Sequence, residues 1–193
     1  MSKTQRTSSA RKRILETAEK LFYSEGIRCV GIDRVIAEAG VAKMTLYNHF
    51  PSKDDLILEV LKYREEQFDQ FLKENMNRHI EEGVKPLKAF FIVLRNWFEN
   101  PSYRGCSFIN ATAELADATH AASQFSTEHK RQFHEMLKQI IIDSEGKKAA
   151  AAAPAIAILV EGAIVTAVSE GTPEAADIAR EAAFDLISKA KRR

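Results

Sequence analysis

The feature that most restricts this chain is a helical period that recurs from one end to the other. Apolar residues return at intervals of three and four in segment after segment. No stretch alternates apolar and polar residues over a strand's length, and no hairpin dipeptide sits between β-branched runs. Stripes of this kind are buried by stacking helix on helix, so the expected fold class is all-α. Nine helices are expected, three short ones at the N-terminal end in a helix-turn-helix arrangement and six forming a C-terminal bundle.

Punctuation along the chain sets the boundaries. Ile14, Leu15, Ala18, Leu21 and Phe22 share one face of a first helix, with Ser8 and Ser9 as candidate caps and Gly26 at its end. Short helices are expected over 32–39 and 43–49, separated by Gly40. Ser52-Lys53-Asp54-Asp55 has the form of a capping box, with Asp55 placed to bond back to the Ser52 N–H. The helix it opens keeps one face through Ile57, Val60, Leu61, Arg64, Phe68, Phe71 and Leu72 to about residue 77. Pro86 starts the next helix and Asn100-Pro101 stops it; a shorter one covers about 107–117. Another carries Phe125, His129, Phe133, Leu137 and Ile141 to Gly146. An Ala-rich helix is expected over about 150–169, started by the run Ala149–Ala153, and Thr172-Pro173 opens a last helix to about 190. The pattern divides the chain into two domains, residues 1–53 with three helices and residues 54–193 with six.

The net charge of +1 names no partner, but its distribution does. Residues 1–53 hold ten Lys/Arg against five Asp/Glu, whereas residues 54–193 hold eighteen against twenty-two. A basic end on a mildly acidic body suits contact with a polyanion. Lys3, Arg6, Arg11, Lys12 and Arg13 form the arm, placed for backbone or minor-groove contact. Two cysteines, Cys29 and Cys106, are too few for a disulfide framework and lack metal-ligand spacing. No signal peptide is recognisable and no apolar run reads as a membrane span, so a cytoplasmic protein with no membrane partner is expected. The most apolar stretch, 149–168, is broken by Pro154, Glu161 and Gly162 and reads as a buried helix.

Residues 31–53, GIDRVIAEAGVAKMTLYNHFPSK, carry the functional signal. A helix-turn-helix needs two short helices, a tight turn, and a second helix that is apolar on one side and polar on the other. Val35, Ile36 and Ala39 supply the inner face of the first helix, and Gly40 supplies the turn. Val41 and Leu46 pack inward, leaving Lys43, Thr45, Tyr47, Asn48 and His49 outward. Thr45 can meet a thymine methyl or a base edge, Asn48 suits adenine, and Lys43 suits guanine or phosphate. Tyr47 and His49 suit phosphate oxygens, and Lys53 offers both its charge and a helix-start N–H to a phosphate.

At these residues the chain resembles the tetracycline-repressor (TetR) family. The matches are Ile36, Ala37, Ala39, Gly40, Val41, Tyr47, His49, Phe50, Ser52, Lys53 and Leu56, with Ile14, Leu15, Ala18, Leu21, Phe22 and Gly26 upstream. The likeness is dense over residues 10–60 and rests on helical pattern and length beyond them. The segment Arg104–Ala111 is similar to a Gly-Cys-x-Phe-x-Asn-Ala motif of some members. The chain departs from the family at Gly31 and Ala42, where Ser or Thr is usual, and Asp33 stands where it can serve the first N–H groups of its helix.

The resemblance implies a one-component regulator: a repressor that binds double-stranded palindromic operator DNA as a homodimer and is released by a small-molecule effector. It places dimerisation in the last two helices, where Ala157, Gly162, Ala163, Ala167, Ala179 and Ala183 are small enough for close packing. It places the effector pocket in the helical body, where Phe68, Trp97, Phe108, Asn110, Glu114 and His129 are the candidate lining residues, with Thr112 a further polar candidate. An alternative switch is Cys106, which opens a helix near Arg104, a setting that favours the thiolate. No nucleophile–base pair, phosphate loop or metal cluster is recognisable, so neither enzymatic activity, a cofactor nor a metal is expected.

Overall fold

A computed structural model describes residues 3–192, with side chains from Ser9 onward. Among the described residues there are nine α-helices and no strand: α1 (Lys3–Glu25), α2 (Ile32–Ala39), α3 (Lys43–His49), α4 (Lys53–Glu81), α5 (Pro86–Phe98), α6 (Ser107–Leu115), α7 (Ala121–Glu145), α8 (Ala153–Glu170) and α9 (Ala175–Lys191). The all-α class and the helix order agree with the sequence. The chain forms two compact units, one of residues 1–67 with 107–128, the other of residues 68–106 with 129–193.

The first unit has its core where α1, α2, α3 and the start of α4 bury the faces that their periodicity marks. Ile14, Ala18, Val35, Leu46 and Leu56 are wholly buried, and Phe50 and Ile57 nearly so. Arg11 stacks its guanidinium 5.2 Å from the Phe50 ring and pairs with Glu59. Arg13 donates through Nε to the Ala39 carbonyl at 3.4 Å, placing a cation at the C-terminal end of α2. Arg64 lies 4.1 Å over the Tyr23 ring and pairs with Glu19 at 2.6 Å.

The second unit is built on α8 and α9, with α5 against them. Val160 and Ala183 are fully buried, and Ala157, Ala163, Ala167 and Ala179 are buried with them. An aromatic cluster joins Phe68 to Trp97 (ring centroids 5.1 Å) and Phe133 (6.4 Å). Tyr103 stands edge-on to Trp97 at 5.0 Å and donates its hydroxyl to the Ile164 carbonyl at 2.8 Å.

Several boundaries differ from the sequence reading. Helix α1 starts at Lys3, so Ser8 and Ser9 lie within it and do not cap it. Arg13 reaches back to the Ser9 hydroxyl at 3.3 Å, one turn earlier, which gives that polar residue a partner inside a helix. The run Lys147–Ala152 forms a 3₁₀ segment, and the α-helix begins only at Ala153. Pro154 explains this. It has no N–H to give to residue 150 and its ring would meet that carbonyl, so it fits only in a helix's first turn despite the alanines before it. Helix α9 begins at Ala175 rather than at Pro173; Thr172 Oγ1 accepts the Glu174 N–H at 3.4 Å, and the first turn bonds close on the Pro173 and Glu174 carbonyls.

One segment requires a correction. The 24 residues Lys147–Glu170 are, by length and composition, apolar enough to cross a membrane. Seven residues of α8 are buried against the rest of the second unit, and Glu161 at its middle holds Lys130 at 2.9 Å. That arrangement is one of a helix packed by one face against its own unit, not of the wholly buried helix expected.

Candidate nucleic-acid interface

The turn between α2 and α3 forms as the residues dictate. Gly40 adopts φ 61°, ψ 45°, and its N–H and that of Val41 return to the Ala37 and Ile36 carbonyls at 3.3 Å. This left-handed stop costs little only for glycine. Neither helix has a side-chain cap, since Gly31 and Ala42 hold the cap positions. Asp33 does not serve the first N–H groups of α2. Its carboxylate turns to Lys43 Nζ at 3.4 Å, across an exposed surface. Arg34 forms an exposed network with Glu38 (2.7 Å) and Glu25 (3.0 Å); the hydrogen bond to Glu38, then the nearby charges, raise its pKa further.

Helix α3 is divided between a buried and an open side. Leu46 is fully buried, and Ile36 and Val41, which the sequence turns inward, are half-buried. Lys43, Met44, Tyr47 and Asn48 are exposed, on one face at positions one and four residues apart, while Thr45 and His49 are half-buried beside them. The structure therefore brings Lys43, Tyr47 and Asn48 onto one open face and holds Thr45 and His49 at its edge. Sequence reasoning passed over Met44, which is 71% exposed, because an apolar residue on a short amphipathic helix reads by default as core.

Lys53 lies differently. Its ammonium donates to the Ile27 carbonyl at 2.6 Å and sits 5.8 Å from the Phe22 ring, so its charge is turned into the first unit. Only its backbone remains at the start of α4. The capping box forms with one change: Ser52 Oγ accepts the Asp55 N–H at 3.0 Å, but the Asp55 carboxylate accepts a hydrogen bond from the Ser52 hydroxyl at 2.7 Å instead of from its backbone N–H. In the arm, the side chains of Lys3 and Arg6 lie outside the described residues, Lys12 pairs with Glu16 at 3.7 Å, and Arg11 and Arg13 are committed to the contacts given above.

The candidate pocket residues fall into two groups. Phe68 and Trp97 meet in the aromatic cluster of the second unit, where His129 is also buried. Phe108, Asn110 and Glu114 belong to the first unit. There Asn110 and Glu114 line, with Tyr23 and Arg64, a cavity of about 20 Å³, room for roughly one water. Glu114 also accepts the Arg28 N–H at 3.0 Å, which fastens α6 to the α1–α2 turn. Thr112 is exposed and its hydroxyl returns to the Phe108 carbonyl. Cys106 is buried at 6% exposure, and Cys29 is the exposed thiol. Among the described residues no group of three or more acidic, His or Cys side chains is placed to hold a metal.

A helix-turn-helix with an open polar second helix, seated in an all-helical chain, defines the class of DNA-binding transcription regulators. Residues 14–60 match the family model described as bacterial regulatory proteins of the tetR family. The chain is 22% identical over 181 residues to the HTH-type transcriptional regulator YjdC of Escherichia coli, covering 94% of this chain and 95% of that one. Over 52 residues it is 42% identical to the HTH-type transcriptional regulator SAB2452 of Staphylococcus aureus. The crystal structure of SCO4454, a TetR-family transcriptional regulator from Streptomyces coelicolor, superposes with a TM-score of 0.80 at 29% identity, covering 95% and 96% of the two chains. Residues 14–60 thus match the DNA-binding part of the tetR family, and over nearly its whole length the chain is similar to TetR-family transcriptional regulators.

Proposed function

We propose that the chain is a cytoplasmic repressor that binds palindromic operator DNA as a homodimer and is released by a small-molecule effector. Residues 1–53 act as the DNA reader and residues 54–193 as the effector-binding and dimerisation part. The observation that carries the reading is the division of α3, with Leu46 wholly buried and Lys43, Tyr47 and Asn48 open. Tyr47 and Lys43 are assigned to phosphates and Asn48 to a base edge, with Thr45 and His49 at the margin of the contact. Homodimerisation is supported by apolar residues that the second unit leaves open: Ile158 (72%), Val165 and Val168 on α8, and Ile178 on α9. The small residues Ala157, Ala163, Ala167, Ala179 and Ala183 are used inside the unit, so they hold α8 to α9. The effector is assigned to the region of Phe68, Trp97 and His129; ligand and operator then oppose each other reciprocally.

The test is selection of bound sequences from a pool of random duplexes, followed by affinity measurement across salt. A steep fall of affinity with salt, a preferred palindrome, and its weakening by Tyr47→Ala support the proposal. Salt-insensitive or sequence-blind behaviour overturns it. A thermal-shift screen of metabolites tests for the effector. The alternative of a thiol switch at Cys106 lacks the accessibility it needs. Iodoacetamide on the folded protein is expected to label Cys29 and to reach Cys106 only after denaturation, as read by peptide mass spectrometry; rapid labelling of Cys106 would restore the thiol reading.

A further inference from the structure

Among the described residues of the first unit Met44 is the most exposed large apolar one, and it stands on the open face of α3, between Lys43 and Tyr47. Exposure of one methionine is ordinary on a protein surface. Its surroundings here are not. The helix is seven residues long, its buried side is satisfied by Leu46, and the side chains flanking Met44 on the open face, Lys43, Tyr47 and Asn48, each end in a polar group. A polar residue at 44 would serve solubility equally, so the thioether adds only an apolar, deformable contact surface in the middle of a polar frame.

In the major groove the apolar feature on a base edge is the C5-methyl group of thymine. We infer that Met44 is a specificity-determining residue that reads thymine methyl groups at the centre of each half-site. Lys43, held to Asp33 at 3.4 Å, and Asn48 then flank this contact with a cation and a bidentate amide. Thr45, the residue that sequence reasoning favours for a thymine methyl, is half-buried at the edge of the face and leaves the more prominent position to Met44. The inference rests on the proposed DNA reading by α3.

The test uses a duplex selected by the wild-type protein from a random pool, resynthesised with deoxyuridine in place of each thymidine in turn. This deletes single methyl groups without changing base pairing or backbone charge. Wild type is expected to lose about fourfold in affinity at one or two positions per half-site, the change corresponding to one methyl-sized apolar contact. Met44→Ala is expected to bind the thymidine duplex more weakly by a similar factor and to show no further loss at those positions, while Met44→Leu keeps the sensitivity. Because residue 44 is exposed, the melting temperatures of the variants should match wild type, which separates a lost contact from a lost fold. An identical deoxyuridine profile, with the same losses at the same positions in wild type and Met44→Ala, overturns the assignment while leaving DNA reading by α3 intact. Failure of wild type to select any sequence removes DNA reading itself, and the Met44 assignment with it.

Discussion

Lys53 shows how one residue can satisfy a motif and yet occupy a different role from the one the motif suggests. Its position at the start of α4 suits a phosphate contact, but its ammonium already holds the Ile27 carbonyl at 2.6 Å and leans toward Phe22. A part-buried, charge-assisted hydrogen bond of this kind contributes about 1–2 kcal/mol. Lys53→Ala is therefore expected to lower stability by roughly that amount, read by urea denaturation. It is expected to leave the salt slope of operator binding nearly unchanged, because the charge is spent inside the protein. A slope reduced by about one ion with stability unaltered would mean that the side chain leaves Ile27 for the DNA. The opposite lesson comes from Met44 and Asp33. The sequence reading gave Met44 no role and offered Asp33 to the first N–H groups of α2, whereas Met44 is exposed and the Asp33 carboxylate meets Lys43. Side-chain direction on a seven-residue helix depends on which neighbour is buried first, and a single sequence does not encode that explicitly.

At the level of elements, the two turns that frame α2 depend on glycine to different degrees. Gly40 ends α2 at φ 61°, and a Cβ there would meet nothing within 4 Å. Gly26 follows α1 at φ 92°, and a Cβ there would lie 3.0 Å from Glu114 Oε2. Gly40→Ala is expected to cost about 1 kcal/mol from the left-handed backbone alone, with Gly40→Asn less harmful. Gly26→Ala should cost more, about 2–3 kcal/mol, since it adds a crowded Glu114 to the backbone strain. Equal losses in chemical denaturation would show that Glu114 yields freely. The ends of α7 and α9 supply a pH-dependent link. Glu145, about nine-tenths buried, hydrogen-bonds to Lys191 and lies 3.6 Å from Lys85. The Lys191 hydrogen bond first, against the opposing effect of burial, and then the lysine charges hold its carboxyl below the usual value. A depressed carboxyl contributes stability above its unfolded value of about 4.3 and loses it as pH falls through the folded value. Thermal melts of wild type and Glu145→Gln should therefore differ at pH 7 and converge in the acid range, and a constant difference would remove the ionic origin.

These elements also mark what the sequence could and could not express. Helix periods, Gly40 and Pro86 are local devices, and α2, α3 and the start of α5 fall where they point. The start of α8 is local too, but it required weighing Pro154 against five alanines, and the proline's missing donor decides. The pocket candidates were chosen by residue type across a long stretch. Whether Phe108 and Asn110 share a unit with Phe68 and Trp97 is a matter of tertiary contacts among distant segments, which carry no local signature.

For the molecule as a whole, the unresolved balance lies on α8 and α9. Their inner faces are closed by alanines, while Ile158, Val165 and Ile178 are left to solvent, beside an open groove of about 410 Å³ lined by Ala155, Ile158, Leu159, Ala182, Asp185, Leu186 and Lys189. Leaving apolar side chains of this size exposed forgoes about 1.5–3 kcal/mol each relative to full burial, and a contiguous set of them marks an interaction surface. In the proposed homodimer a second copy presenting the same face would bury both sets at once, because a two-fold contact is self-complementary. Such a dimer gives two α3 helices the chance to enter successive major grooves, roughly 34–36 Å apart. Ile158→Glu places two like charges in this contact, one from each copy, and desolvates both. Sedimentation is expected to show a dimer for wild type and a monomer for the variant, with helicity unchanged because residue 158 is exposed in the single chain. Operator affinity should then fall by well over tenfold, while binding to a lone half-site changes little. A variant that remains dimeric would place the contact elsewhere, and a monomeric variant that binds the full operator as tightly as wild type would show that the two halves are read independently.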